Sequence, residues 1–290
     1  MSGRVVVGYH GGATGRDALA FGTQWAVTSG DTMVVVTVHP GAAPAGLARV
    51  DAEWAAYERS AAQDLIDEAK GLVDPSIGAE YHRVDAGSAA HGLSDLVEPD
   101  SDDRSLLVLG SRRDRKMRRT FPGSTAERLL HGTAAPVVVV PWGYGHVEKK
   151  RLERVAVAFV DTPDGQVAFA HAVRIAQHLG ASLTVLTVVP DTRVVPGLGE
   201  SRQFSSEQRK GYQASLDAVL ATAPAGLAVS GRVLDGPVVD ALGDLSLDDY
   251  DLLVVGSRSY GPVRRVLLGG VSSRVVRHAK VPVVVAPRGD

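Results

Sequence analysis

The sequence predicts an α/β fold used twice in tandem, and three observations carry that expectation. Short Val/Leu-rich runs alternate with stretches that place apolar residues at helical spacing, the pattern of βαβ units joined into a mostly parallel sheet. The chain also repeats itself: Leu106–Arg112 (LLVLGSR) recurs as Leu252–Arg258 (LLVVGSR), and Val137–Pro141 (VVVVP) as Val283–Pro287 (VVVAP). The offset is 146 residues at Gly110/Gly256, Gly123/Gly269 and Pro136/Pro282, and 150 where Val5–Gly8 matches Val155–Ala158. Finally, 290 residues suit two domains at roughly 100–200 residues each. Two copies make a duplicated domain, since solenoids stack a larger number of shorter repeats.

In the first copy, residues 4–9 and 33–39 are β-branched runs of strand length. Residues 16–29 between them carry Leu19, Trp25 and Ala26 at helical spacing. A helix over 50–73, a strand over 79–84 and a short helix over 89–98 follow. A strand over 106–110, a helix over 124–132 and a last strand over 137–141 complete the unit. The second copy repeats the series as 154–159, 165–179, 182–189, 205–223, 227–234, 237–244, 251–256, 270–278 and 282–286. Uninterrupted Val/Leu runs suit strands covered on both faces. Trp142–Arg151 holds two glycines and then Glu-Lys-Lys-Arg. It reads as the linker and gives domains 1–146 and 151–290. Val137–Pro141 and Val283–Pro287 are short, apolar and last in their copies, so each is expected at a sheet edge, where an apolar strand invites pairing.

Composition narrows the function. Apolar residues make up 44% and charged residues 22%, as in ordinary globular chains. A net charge of −2 argues against a protein held to nucleic acid by its overall field. The absence of cysteine excludes disulfides, thiolate metal sites and thiol catalysis. Met1–Gly8 enters a strand-like run without the apolar core of a signal peptide, and no apolar stretch approaches the ~20 residues that span a bilayer. The expected compartment is the cytoplasm. The nine histidines include no i, i+4 pair and no His-Glu-x-x-His, so no metal site is expected. The sequence also carries no Gly-x-Ser-x-Gly elbow. The run Arg112–Arg119 (RRDRKMRR) is the strongest charge cluster. It has no interleaved aromatics of the kind that bind single strands, so it reads as a solvated loop, with contact to a ligand's phosphates as the exception.

In an open doubly wound sheet, ligands settle at the carboxyl ends of strands where the order reverses. Two loops fall there: Gly8–Gly15 (GYHGGATG) after the first strand, and Gly110–Thr125 after the fourth. The glycines permit close backbone approach, and a helix starting near Ser124 offers free N–H groups and a positive dipole end. This order, strand–Gly-x-x-Gly-x9-Gly-[Ser/Thr]–helix–Pro-Val-x-Val-Val, resembles the nucleotide loop of universal stress proteins of the ATP-binding type, and the resemblance covers both halves. It implies a Rossmann-like (adenine nucleotide alpha hydrolase-like) fold with a five-stranded parallel sheet in each domain. It also implies adenine near an Asp at the end of the first strand, phosphates cradled by the glycine loop with Mg²⁺ accompanying ATP, and no covalent chemistry by the protein. In that family the final strands of two domains pair antiparallel. The same pairing is expected within this chain, through Val137–Pro141 and Val283–Pro287, with homodimerisation of the whole chain as a further expectation.

Several positions depart from the pattern. In the first copy Gly110, Gly123, Ser124 and Thr125 fit, but Arg113 replaces the middle glycine, beside Arg112, and His10 replaces the Asp. In the second, Gly256 and Gly269 fit, while Ser259, beside Arg258, replaces the middle glycine and Gly270 the Ser/Thr, with Ser272 two residues on. Val160 holds the Asp position and Asp161 stands one residue late, which on a strand turns the side chain to the other face. These residues, Val160 excepted, form the expected nucleotide site. Three readings stay open: an ATP-binding, non-enzymatic stress protein; the same fold without nucleotide, acting as an interaction module; and a slow ATPase, which the missing catalytic carboxylates disfavour. If only one copy binds, the first is expected to, because Arg112, Arg113, Arg115 and Lys116 surround its loop.

Overall fold

The computed structural model describes residues 3–40, 49–97, 105–113, 120–148, 151–190, 201–257 and 269–287. The first half contains strands β1 (Arg4–Gly8), β2 (Thr32–His39), β3 (Ala79–Asp85), β4 (Ser105–Gly110) and β5 (Val137–Val140). They alternate with helices α1 (Gly12–Ser29), α2 (Arg49–Leu72), α3 (Ala89–Val97) and α4 (Gly123–Leu129). The second half repeats the order with β6 (Arg154–Ala158), β7 (Ser182–Val189), β8 (Val229–Asp235), β9 (Leu252–Gly256) and β10 (Val283–Ala286). Its helices are α5 (Pro163–Leu179), α6 (Ser201–Leu220), α7 (Val238–Gly243) and α8 (Gly270–His278). Strand identities follow from β-branched runs that are buried on both faces, as in β1, where Val5, Val6 and Val7 are all fully buried.

Each half is a parallel five-stranded sheet, ordered β3-β2-β1-β4-β5 and β8-β7-β6-β9-β10. Strand β10 runs antiparallel to β5, with Val283 opposite Val139 and Val285 opposite Val137. The two sheets are therefore one ten-stranded sheet. Odd-numbered residues of β1 (Val5, Val7) pack with α1, α2, α5 and α6 in one apolar layer that runs through both halves. Val6 packs with α3 and α4 in the layer on the opposite face, which also takes in α7 and α8. The period-2 alternation of a strand thus feeds two cores from one run of valines.

The start of the first helix needs correction, and the linker has a defined packing. Helix α1 starts at Gly12, four residues before the expected start, because Gly11 and Gly12 adopt φ of 67° and 63° and turn the chain straight from β1 into the helix. Half of the expected glycine loop is therefore helical. The linker, in turn, is packed against the first domain. Tyr144 is buried, and its hydroxyl donates to Gln24 Oε1 at 2.6 Å. The amides of Gly143 and Gly145 donate to the two Asp17 carboxylate oxygens at 2.9 and 2.6 Å. Burial pushes the Asp17 carboxyl up, and these two amides oppose the shift.

Candidate functional site

The sheet order reverses at β1, whose neighbours β2 and β4 connect in opposite directions along the chain, which is where a doubly wound sheet opens a crevice. In the first domain that crevice is a cavity of about 380 Å³, within the range of roughly 300–1,000 Å³ for small-molecule pockets. It is lined by Gly8 and Gly110, the last residues of β1 and β4, and by an apolar wall of Val36 and Val38 of β2 with Leu93 of α3. His10, Gly11 and Thr14 also line it, as do Pro122 and the first turn of α4, Gly123–Ala126. Gly123 has φ of 80°, a left-handed conformation that favours glycine. Pro122, ahead of the helix, makes no side-chain cap, so among the described residues no cap side chain competes with a ligand for the first α4 amides.

The sequence-assigned residues separate into groups. His10, Gly110, Arg112, Gly123, Ser124 and Thr125 all line this cavity. Arg113 does not: Arg112 and Arg113 pair with Phe121 and Thr120 in a two-residue antiparallel ladder, and the Arg113 guanidinium lies 5.0 Å from the centre of the Trp142 ring. A second cleft of about 420 Å³, formed by Thr14, Arg112, Arg113 and Trp142, adjoins there. Arg115 and Lys116 lie outside the described residues. The Tyr9 side chain belongs to the layer on the α1 face. Burial, reinforced by the Glu68 carboxylate, holds its phenol well above the ordinary value, so it remains neutral.

The second copy places its residues differently. Asp161 lines a cavity of about 370 Å³ formed with Phe159, Thr187 and α6 residues such as Tyr212 and Ser215. Phe159 and α6 belong to the same sheet face as α1, so this cavity lies on the face opposite the Val36, Leu93 and Ala126 wall of the first-domain site. Gly256 packs against the start of α5, where a Cβ would stand 3.0 Å from the Asp164 carbonyl oxygen. The Ser272 hydroxyl donates to the Gly256 carbonyl at 2.9 Å, and Gly270 is exposed at the start of α8. Gly269 is extended, with φ of −66° and ψ of 160°, unlike Gly123. Arg258 and Ser259 lie outside the described residues.

Sequence reasoning passed over Val36, Val38 and Leu93, which supply the apolar wall. Strand periodicity held a signal for the first two, because they share the face of β2 that also carries Val34. Trp142 stood inside the presumed linker and gave no signal at all.

Two tandem parallel-sheet domains, fused along their last strands and open at a switch point, define a class of α/β proteins in which ligands settle between strand ends and helix starts. The sequence model of the Universal stress protein family matches residues 1–141 and 151–287, and this chain belongs to that family. A universal stress protein of Mycobacterium tuberculosis is 30% identical over 293 residues, covering 98% of this chain and 99% of its own length. One from Mycolicibacterium smegmatis is 30% identical over 234 residues, covering 78% of this chain and 77% of its own. Among solved structures, a universal stress protein from Archaeoglobus fulgidus superimposes over 100% of both chains with a TM-score of 0.68 at 19% identity, a likeness of fold.

Proposed function

We propose that this chain is a non-enzymatic adenine-nucleotide receptor of the stress response, with ATP bound in the first domain. The observation that carries this reading is the 380 Å³ cavity at the switch point, where six of the assigned residues converge. Its apolar wall of Val36, Val38 and Leu93 suits a base. The same cavity is lined by the first turn of α4 with the Ser124 and Thr125 hydroxyls and by Arg112, which suit phosphate oxygens. No carboxylate stands among the described lining residues, so in this reading any Mg²⁺ would be carried by the nucleotide's own phosphates. The cytoplasm is the compartment in which such a receptor would meet ATP.

A different role fits the second domain. Gly256, Gly269 and Ser272 are each engaged in strand–helix geometry, and they support a structural or interaction role there. Mass spectrometry of the purified full chain tests the main reading: released ATP, ADP or AMP at up to one equivalent is expected. No copurified nucleotide, together with no heat on titration with ATP, would leave the interaction-module reading in its place.

A further inference from the structure

The cleft formed by Thr14, Arg112, Arg113 and Trp142 shares Thr14 and Arg112 with the 380 Å³ cavity. The two are therefore adjoining parts of one surface. The cleft has its own chemistry: two guanidinium groups, a hydroxyl and an indole that is 46% exposed. A large apolar ring left this open beside two arginines is rarely needed for folding, and Arg113 already rests on it at 5.0 Å, a cation–π distance. The basic run looked unaccompanied by aromatics in the sequence, but the fold brings Trp142 to it from the start of the interdomain connection.

We propose that the first-domain site is bipartite and takes a two-headed ligand of the dinucleoside polyphosphate class. One base occupies the cavity and the anionic chain passes Arg112. The second base stacks on Trp142, beside or in place of the Arg113 guanidinium. The inference rests on the nucleotide reading above and extends it by naming the length and the second head of the ligand. Arg113 then has a role in the middle-glycine position: its guanidinium neutralises the chain and supports the stacking platform, whereas a glycine would leave the indole bare.

Titration calorimetry of the full chain with ATP and with diadenosine tetraphosphate tests this. The parent protein should bind the dinucleotide about tenfold or more tighter than ATP, the size of one base–aromatic stack. Trp142→Ala should bring the dinucleotide down to the ATP level while leaving ATP affinity unchanged, and Trp142→Phe should keep most of the preference. Circular dichroism melting of both variants checks that the fold is intact. Equal affinity of the parent for the two ligands, or an equal loss for both in Trp142→Ala, overturns the second head while ATP binding itself stands. A mixed-sequence DNA single strand showing the same Trp142-dependent affinity overturns it in favour of nucleic acid. If neither nucleotide binds, the reading beneath the inference falls and the inference falls with it.

Discussion

At Gly110 a methyl group would overlap the Thr14 carbonyl oxygen, so this glycine is required for α1 to reach the end of β4 whether or not a ligand is present. Gly110→Ala is expected to destabilise the protein by about 1–3 kcal/mol, the usual cost of overpacking, and this is measurable as a lowered midpoint in urea. An unchanged midpoint would mean the first turn of α1 yields freely, leaving ligand contact as the glycine's purpose. Asp31 is a second residue with a physical signature. Its buried carboxylate accepts from Trp25 Nε1 at 2.9 Å, from His178 Nε2 at 2.8 Å and from the Gly3 amide at 2.7 Å. Burial alone would raise its pKa, but these donors, His178 foremost, hold it below the ordinary carboxylate value. A depressed carboxylate contributes stability that is present above its unfolded pKa of about 3.9 and is lost as pH falls through the folded value. In His178→Ala the burial effect loses its main opposition and the folded value rises toward the unfolded one. The variant should therefore be less stable than the parent near pH 6 and lose less of its stability in acid, the two converging as pH falls toward 3. Thermal melts between pH 3 and 6 that coincide for the two proteins would refute the coupling.

The helices that open at Gly123 and Gly269 show how equivalent sequence positions diverge once folded. Gly123 is left-handed and Gly269 extended, so valine should strain the first site by about 1–3 kcal/mol of backbone energy and sit without conformational strain at the second. Gly123→Val is expected to weaken ATP binding by about tenfold or more, the equivalent of one charge-assisted hydrogen bond. Gly269→Val should titrate like the parent, and the reverse pattern would move the nucleotide to the second domain. These differences also mark what the sequence could reveal. The order of strands and helices was legible because continuous valine runs and the repeat spacing are local signals. The start of α1 was misplaced because a pair of positive-φ glycines reads as loop in a one-dimensional pattern. The burial of Tyr144 was hidden because its partner Gln24 lies on α1, far away in sequence. Within the site, glycines and hydroxyls announced themselves by motif. The apolar wall did not, because Val36 and Val38 resemble every other core valine.

Across the whole molecule, the two domains share more than a boundary. Strands β5 and β10 form the centre of one sheet, and the apolar layer on the α1 face continues from Trp25 and Phe21 into Phe169, Ala172 and Val173 of α5. On that face His178 reaches Asp31 and the Leu152 amide donates to the Thr28 hydroxyl at 3.0 Å. On the opposite face Arg277 of α8 meets Glu127 of α4 at 3.0 Å while lying over Phe121. Neither half can unfold without exposing Val139 or Val285, both buried at the strand junction, and an exposed apolar sheet edge is costly and aggregation-prone. The chain should therefore melt as one cooperative unit, with a single calorimetric transition whose measured and van't Hoff enthalpies agree. Val139→Lys and Val285→Lys each bury a charge at the shared junction, although they sit in different domains. Each should lower the same single transition, and the pair together should lose compactness in small-angle scattering. Two resolved transitions in the parent, with each lysine shifting only the transition of its own domain, would show that the junction joins the halves without coupling them.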